Sequence, residues 1–112
     1  MPKPAPRLPL RAEYHDGAVE SVEVGPRREV AITVRLDSVW NDGDGSTRRL
    51  HFSAIQNFEE VAAFFRRASP ADGGGVFVDE VIRIDLVSKG IIGIEFDVLG
   101  YIELRGAKVR ES

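Results

Sequence analysis

Three groups of residues have types and spacings that could support chemistry. His15 and Asp16 are adjacent, and a histidine beside an acid could bind a metal or act as a base. A metal site needs three or four ligands, and a catalytic base needs an oriented nucleophile. The only other histidine is His51, on a different predicted strand, so a metal hydrolase requires these side chains to converge. His15 and Asp16 are therefore kept as secondary polar candidates.

Two loops resemble ligand-binding loops only in part. The polar loop 41–46 alternates its acids like the first ligands of a calcium loop, but Thr47 and Ser53 stand where a glycine and a bidentate glutamate are needed. The glycines at 73–75 precede a predicted strand and carry no lysine, whereas a phosphate loop precedes a helix. We predict no catalytic residue, no metal and no cofactor.

The candidate binding surface is the outer face of three strands near the C-terminus, together with an aromatic residue beside the polar loop. An acidic sheet face can dock a basic protein, as inhibitors of nucleases often do. A tryptophan is the best single anchor for a partner or a small ligand. The simpler interpretation is a solvated face with weak ion pairs and a tryptophan that caps the core. The candidate partner-binding residues are Trp40, Arg83, Asp85, Glu95, Asp97, Tyr101, Glu103 and Arg105.

Alternation of apolar and polar residues predicts the strands that must position these side chains. Residues 18–24, 28–39 and 47–54 alternate with a period of two, which is typical of half-buried strands. The second and third of these strands predict an antiparallel hairpin around the polar loop.

The C-terminal third predicts three more strands in a meander. Its connections, 88–90 and 98–100, are each three residues long with glycine last. Opposed residues in a hairpin share a face, so these loop lengths predict the pairing. The predicted pairs are Ile84 with Ile94, Arg83 with Glu95, Phe96 with Ile102, and Ile94 with Leu104.

One helix is predicted, at 57–68. Its apolar residues recur at i, i+3, i+4 and i+7, and Asn57 with Glu60 suits a capping box. The apolar stripe is Phe58, Val61, Ala62 and Phe65. We therefore predict an α+β fold: six to seven mostly antiparallel strands as a curled sheet, sandwich or partly open barrel, with this helix packed on the apolar face.

Composition excludes several classes of protein. The net charge of −3 argues against nucleic acid, and the absence of cysteine excludes disulfides and fits a reducing cytoplasm. No apolar run approaches the ~18 residues that span a bilayer, so we expect no membrane association. Residues 1–12 form a Pro-rich N-terminal arm, either a free tail or a segment that packs on a neighbour. A single domain is predicted over 13–112.

Several short segments occur in an order found in other proteins. They are Tyr-His-Asp-Gly at 14–17 before a Val-rich strand, Leu-His-Phe-Ser at 50–53, Asn-Phe at 57–58, and the closing hairpin at 97–102. In this order the chain resembles a group of small uncharacterised bacterial β-rich proteins that includes immunity proteins of polymorphic toxin systems. The resemblance implies that the chain binds and neutralises a cognate toxin without catalysis, and it implies no particular site residues.

We therefore expect a cytoplasmic, non-catalytic protein-binding domain, with immunity-type inhibition of a toxin as the most specific version. The alternative is a small-ligand module with a pocket between helix and sheet, lined by Phe58, Phe65, Phe77 or Phe96. A homodimer through an edge strand such as 28–39 is a further expectation.

Overall fold

The computed structural model describes residues 8–67 and 79–112, which form seven antiparallel strands and one α-helix. Within these ranges the strands form one curled, unclosed sheet in the order β6-β5-β4-β1-β2-β3-β7. The predicted α+β fold is confirmed. In chain order the elements are β1 (Gly17–Val24), β2 (Val30–Arg35), a 3-10 helix (Ser38–Trp40), β3 (Thr47–Ser53), α1 (Phe58–Arg66), β4 (Asp79–Ser88), β5 (Ile91–Phe96), β6 (Gly100–Arg105) and β7 (Lys108–Glu111).

The core lies against one face of the sheet, as the alternation of the strands predicts. Alternate residues of β2 and β3 are buried, whereas their neighbours along each strand are half-buried or exposed. Burying each such side chain contributes about 1.5–3 kcal/mol, which favours this face over its opposite. The buried residues of β2, β3, β5 and β6 include Val30, Ile32, Val34, Leu50, Phe52, Ile92, Ile94, Phe96, Ile102 and Leu104.

Helix α1 packs its predicted stripe onto this core. Val61, Ala62 and Phe65 are buried, and the helix contacts β6 and β1. Phe65 meets Phe96 edge to face at 5.8 Å, a favourable aromatic geometry. Phe64 is also buried, which widens the stripe. No helix within 8–67 and 79–112 is long and apolar enough to cross a membrane.

Asn57 occupies the predicted N-cap position of α1, but the predicted capping box does not form. Its side chain makes no hydrogen bond to the helix. The amide instead donates to the carbonyl of Glu103 at 2.8 Å and accepts from the backbone N–H of Arg105 at 2.8 Å. Gln56 continues this pattern by donating its backbone N–H to the carbonyl of Arg105. The outer edge of β6 is thus covered by a carboxamide that imitates a neighbouring strand.

The prediction of one long edge strand over residues 28–39 is wrong. The strand ends at Arg35, and the chain turns into the 3-10 helix at Ser38. Strand β2 lies between β1 and β3, so its backbone is paired on both sides. Such a strand cannot add a strand from a second molecule.

The pairing of the C-terminal meander is partly as predicted. Ile84 opposes Ile94 and Arg83 opposes Glu95, as predicted. The β5–β6 register is two residues away from the prediction, because Phe96 opposes Gly100 rather than Ile102 and Ile94 opposes Ile102. Gly100 has a φ of +93° and already pairs, so the loop is 97–99. A shift of two leaves every side chain on its predicted face.

Part of the predicted N-terminal arm packs on the domain itself. Leu8, Leu10 and Ala12 contact the core cluster. The backbone N–H groups of Arg11 and Ala12 donate to the carboxylate of Glu111 at 3.2 and 3.3 Å. The segment 8–12 thus lies beside β7, and residues 1–7 lie outside the described ranges.

Candidate functional site

Three of the candidate residues, taken from two separate stretches of sequence, meet at one place. The indole N–H of Trp40 donates to Asp16 at 3.1 Å, and the rings of His15 and Trp40 meet edge to face at 5.0 Å. Nε2 of His15 lies 3.5 Å from the carboxylate of Asp16. We call this group, with Val39, the Trp40 end. The sequence separates its two parts by 24 residues, so only the folded topology joins them.

Hydrogen bonds between the side chains of Asp37 and Asn41 and nearby backbone groups hold the 3-10 helix that presents Trp40. Asp37 caps it by accepting the N–H of Val39 at 2.8 Å. The side chain of Asn41 donates to the carbonyls of Glu13 and Asp37, and it accepts the N–H of Glu13. The aromatic side chain is therefore displayed from a short, fixed turn rather than from a free loop.

The turn that carries His15 and Asp16 requires its sequence. Asp16 has a φ of +62°, a left-handed conformation that aspartate tolerates better than most residues. A side chain at Gly17 would place its Cβ 2.6 Å from Val34 and 3.0 Å from the carbonyl of Tyr14. The chain turns at His15 and Asp16, and the close approach at position 17 explains why glycine follows the aspartate.

His15 is oriented by β4 and surrounded by acids. Its Nδ1 lies 2.7 Å from the carbonyl of Ile82, so the proton on that nitrogen is donated to β4. This bond, opposed by desolvation and supported by the charges of Asp16, Glu13 and Asp37, raises the pKa of His15 above its ordinary value. The charged side chains that act on the His15 ring are therefore acidic.

The Trp40 end combines exposed apolar surface with acidic surroundings. Val39 is 81% exposed and Trp40 is 52% exposed. Beside the tryptophan lies a depression of about 280 Å³. Its charged lining residues are Arg11, Glu13, Asp42, Asp44 and Arg48, and Arg48 pairs with Asp44 at 3.1 Å. Such a site suits a basic side chain adjacent to an apolar one.

The outer face of β4–β6 satisfies its own charges. Arg83 lies 3.1 Å from Glu95 and 3.6 Å from Asp85, and the hydroxyl of Tyr101 donates to Glu103 at 2.9 Å. These groups are largely exposed, and exposed pairs contribute about 0–1 kcal/mol each. The predicted face exists, and its charges are mostly paired within it.

Tyr101 has a local structural role on that face. A Cβ at Gly93 would lie 2.6 Å from the Tyr101 hydroxyl and 2.9 Å from Val87, so these two side chains cover the glycine. Tyr101 remains 46% exposed. The remaining two candidates are exposed: Asp97 lies in the β5–β6 loop and Arg105 at the end of β6.

Sequence reasoning missed two acids that hold the structure. Asp79 is 3% exposed and accepts the backbone N–H groups of Glu80, Val98 and Leu99, which fixes the β5–β6 loop. The carboxylate of Glu111 accepts the hydroxyl of Tyr14 at 2.6 Å. Asp79 begins β4 and Glu111 ends β7, but only the fold shows which groups these acids reach.

The two histidines do not share a site. His15 contacts β4 and Trp40, whereas His51 lies on β3 with Nε2 3.2 Å from the hydroxyl of Ser112. No group of three or more metal-ligating side chains occurs in the part of the chain that the structure describes. The convergence that a metal hydrolase requires is therefore not seen.

The phenylalanines proposed to line a ligand pocket lie in the core. Phe65 and Phe96 are each 2% exposed, and Phe58 is half-buried against the same cluster. The ring of Phe64 lies 5.2 Å from that of Phe65, so aromatic contacts occupy this space. Phe77 lies outside the described ranges.

No family model, no curated protein and no solved structure matches this chain.

Proposed function

We propose that this chain is a non-catalytic protein-binding domain that docks a basic partner at the Trp40 end. The observation that carries this proposal is the exposure of Val39 and Trp40, 81% and 52%, on a turn held by side-chain hydrogen bonds to its backbone. Tryptophan is the residue type most enriched among the residues that dominate protein interfaces. A rigid display reduces the entropy lost on binding.

The charges around Trp40 define the partner. The hydrogen bond from His15 to the Ile82 carbonyl raises the pKa of His15 most, and the charges of Asp16, Glu13 and Asp37 raise it as well. Acidic side chains therefore surround this side of Trp40. A complementary partner presents lysine or arginine around an apolar pocket that receives the indole. Its association is expected to be fast at low salt and to slow as salt screens the charges.

The most specific version of the proposal is immunity-type inhibition of a toxin in the cytoplasm. The support is the resemblance of segments 14–17, 50–53, 57–58 and 97–102 to that group of proteins. Nucleases act on a polyanion through basic surfaces, so an acidic inhibitor can cover them. The Trp40 end has both the acidic charge and the aromatic anchor for that role.

The test is a pull-down from lysate and from neighbouring gene products with the wild-type chain and with Trp40→Ala as baits. The matched control is Val98→Ala, because Val98 is also exposed, at 75%, but lies on the β5–β6 loop. We expect one basic partner to bind the wild type and Val98→Ala, and to bind Trp40→Ala at least about 30-fold more weakly. Binding should also weaken as salt rises.

Equal capture of the same partner by Trp40→Ala and the wild type would contradict the proposed docking site. Failure to recover any partner from either source would count against protein binding as a whole. For the immunity version, the recovered partner must be toxic when expressed alone. Co-expression of the wild type, but not of Trp40→Ala, must then restore growth.

A ligand module with a pocket between helix and sheet remains the alternative proposal. It requires the Phe65 and Phe96 rings to separate around a ligand, since they now meet at 5.8 Å. Fluorescence quenching or stabilisation of the fold by a small apolar ligand would favour this alternative.

A further inference from the structure

A second surface lies on the opposite side of the sheet's centre from β4–β6. It is a groove of about 370 Å³ on the outer face of β1, β2, β3 and β7, which we call the His51 groove. A row of opposed residues crosses it: Glu23, Ala31, His51 and Arg110. Ala31 is the small residue in this row, so the longer side chains on either side form walls.

The two walls of the His51 groove carry opposite charge. The wall on β3 and β7 has Arg49, Lys108 and Arg110, and the wall on β1 and β2 has Glu23 and Glu29. Arg49 bonds to Glu23 at 2.7 Å. A guanidinium has five N–H donors, so that bond leaves Arg49 further donors for a ligand.

The pKa of His51 depends on burial and on these charges. Burial, and then the charges of Arg110 and Arg49, lower the pKa of His51, against the opposing charges of Glu23 and Glu29. The lining carries three basic side chains, Arg49, Lys108 and Arg110, against two acids, in a protein whose net charge is −3.

We propose that the His51 groove binds the phosphate group of a small hydroxylated metabolite. Arg49, Lys108 and Arg110 hold the phosphate, because guanidinium and ammonium groups make charge-assisted hydrogen bonds to its oxygens. Glu23 and Glu29 accept hydrogen bonds from hydroxyl groups on the rest of the ligand. The volume of about 370 Å³ is within the range of small-molecule sites.

The test is an NMR titration of the full chain that follows the ring signals of both histidines. The probes are glucose 6-phosphate, inorganic phosphate and glucose, at an ionic strength held constant with NaCl. We expect glucose 6-phosphate to give a saturable shift of the His51 signal and to raise the pKa of His51, because an anion stabilises the imidazolium. His15, outside the groove, serves as the internal control and should not respond.

Two matched variants locate the site. Arg110→Gln removes a charge from the basic wall, whereas Arg105→Gln removes an exposed charge from β6, outside the groove. Arg110→Gln should weaken glucose 6-phosphate binding about tenfold, and Arg105→Gln should leave it unchanged. Glucose alone should not bind.

Three outcomes would overturn the proposal. The first is the absence of a saturable His51 shift with glucose 6-phosphate, and the second is an equal shift with NaCl alone. The third is equal weakening by Arg105→Gln and Arg110→Gln. Equal affinity for inorganic phosphate would overturn the role given to Glu23 and Glu29. The Trp40→Ala chain should bind normally, which separates this site from the proposed protein-docking function.

Discussion

The Trp40 end and the His51 groove each contain one of the two histidines, and the pKa values of the two rings are shifted in opposite directions. A backbone carbonyl and acidic neighbours raise the pKa of His15, whereas burial and two arginines lower the pKa of His51. The side chain is the same in both places, so the difference in pKa comes from the groups that the fold places beside each ring. A modest net charge of −3 thus conceals two regions with different local arrangements of charge.

The largest effect should come from removing a large side chain from the core under the sheet. Phe65→Ala creates a cavity against Phe96 under the sheet and should cost about 3–5 kcal/mol of unfolding free energy. Urea denaturation measures this loss. The control is Ala63→Gly on the exposed side of the same helix, expected to cost about 1 kcal/mol. A loss under about 1 kcal/mol for Phe65→Ala would contradict the packing described for α1.

A smaller effect should come from the link between the two regions. Tyr14 precedes His15, is 3% exposed, and donates its hydroxyl to Glu111, the neighbour of Arg110. Tyr14→Phe leaves this acceptor less satisfied and should cost about 1–3 kcal/mol. Burial raises the pKa of Glu111, but hydrogen bonds from Tyr14, Ala12 and Arg11 outweigh burial and hold the pKa below its ordinary value. Loss of the Tyr14 bond should therefore raise the pKa of Glu111 in the variant.

The matched control for Tyr14→Phe is Tyr101→Phe. Its hydroxyl also bonds to a glutamate, Glu103, but on an exposed sheet face. That change should stay within about 0.5 kcal/mol of the wild type. Equal losses of unfolding free energy for the two variants, measured by thermal or urea unfolding, would contradict a larger contribution from the buried Tyr14–Glu111 hydrogen bond.

The smallest effects should separate the histidines by pH. A raised folded-state pKa means that His15 contributes stability below its ordinary pKa of 6.5, lost as pH rises through the folded value. A lowered folded-state pKa means that His51 makes stability fall as pH drops below 6.5. His15→Gln should therefore be less stable than the wild type at low pH, and this difference in unfolding free energy should shrink as the pH rises above about 6.5. The unfolding free energy of His51→Gln should instead increase relative to that of the wild type as the pH falls below about 6.5.

Unfolding curves of both variants between about pH 5 and 8 measure these differences. The internal comparison needs no other variant, because each histidine change controls for the other. Differences of the same sign for His15→Gln and His51→Gln would break the comparison between the two regions.

The sequence predicts the faces of the strands well, because burial of apolar residues fixes which way each strand faces. It predicts the β5–β6 register less well, because glycine at position 100 can either end a loop or begin a strand. Asn57 shows a different limit. Its local pattern indicates a cap, but its amide finds partners on β6, 46 and 48 residues away.

The candidate sites show the same limit. The exposed Trp40 and the pair at 15–16 are each visible as single features, but their contact depends on how β1 and the 3-10 helix meet. The His51 groove was missed because its walls come from four strands. Alternation of Lys108 and Arg110 with Val109 was a usable signal, since it places two cations on one face.

The most direct test of the two-region account is an NMR pH titration that follows the ring signals of both histidines in the wild-type chain. The account predicts a pKa above 6.5 for His15 and below 6.5 for His51. Asp16→Asn should lower the first value without moving the second, because Asp16 contacts only His15 of the two. Two values on the same side of 6.5, or in reversed order, would contradict the account.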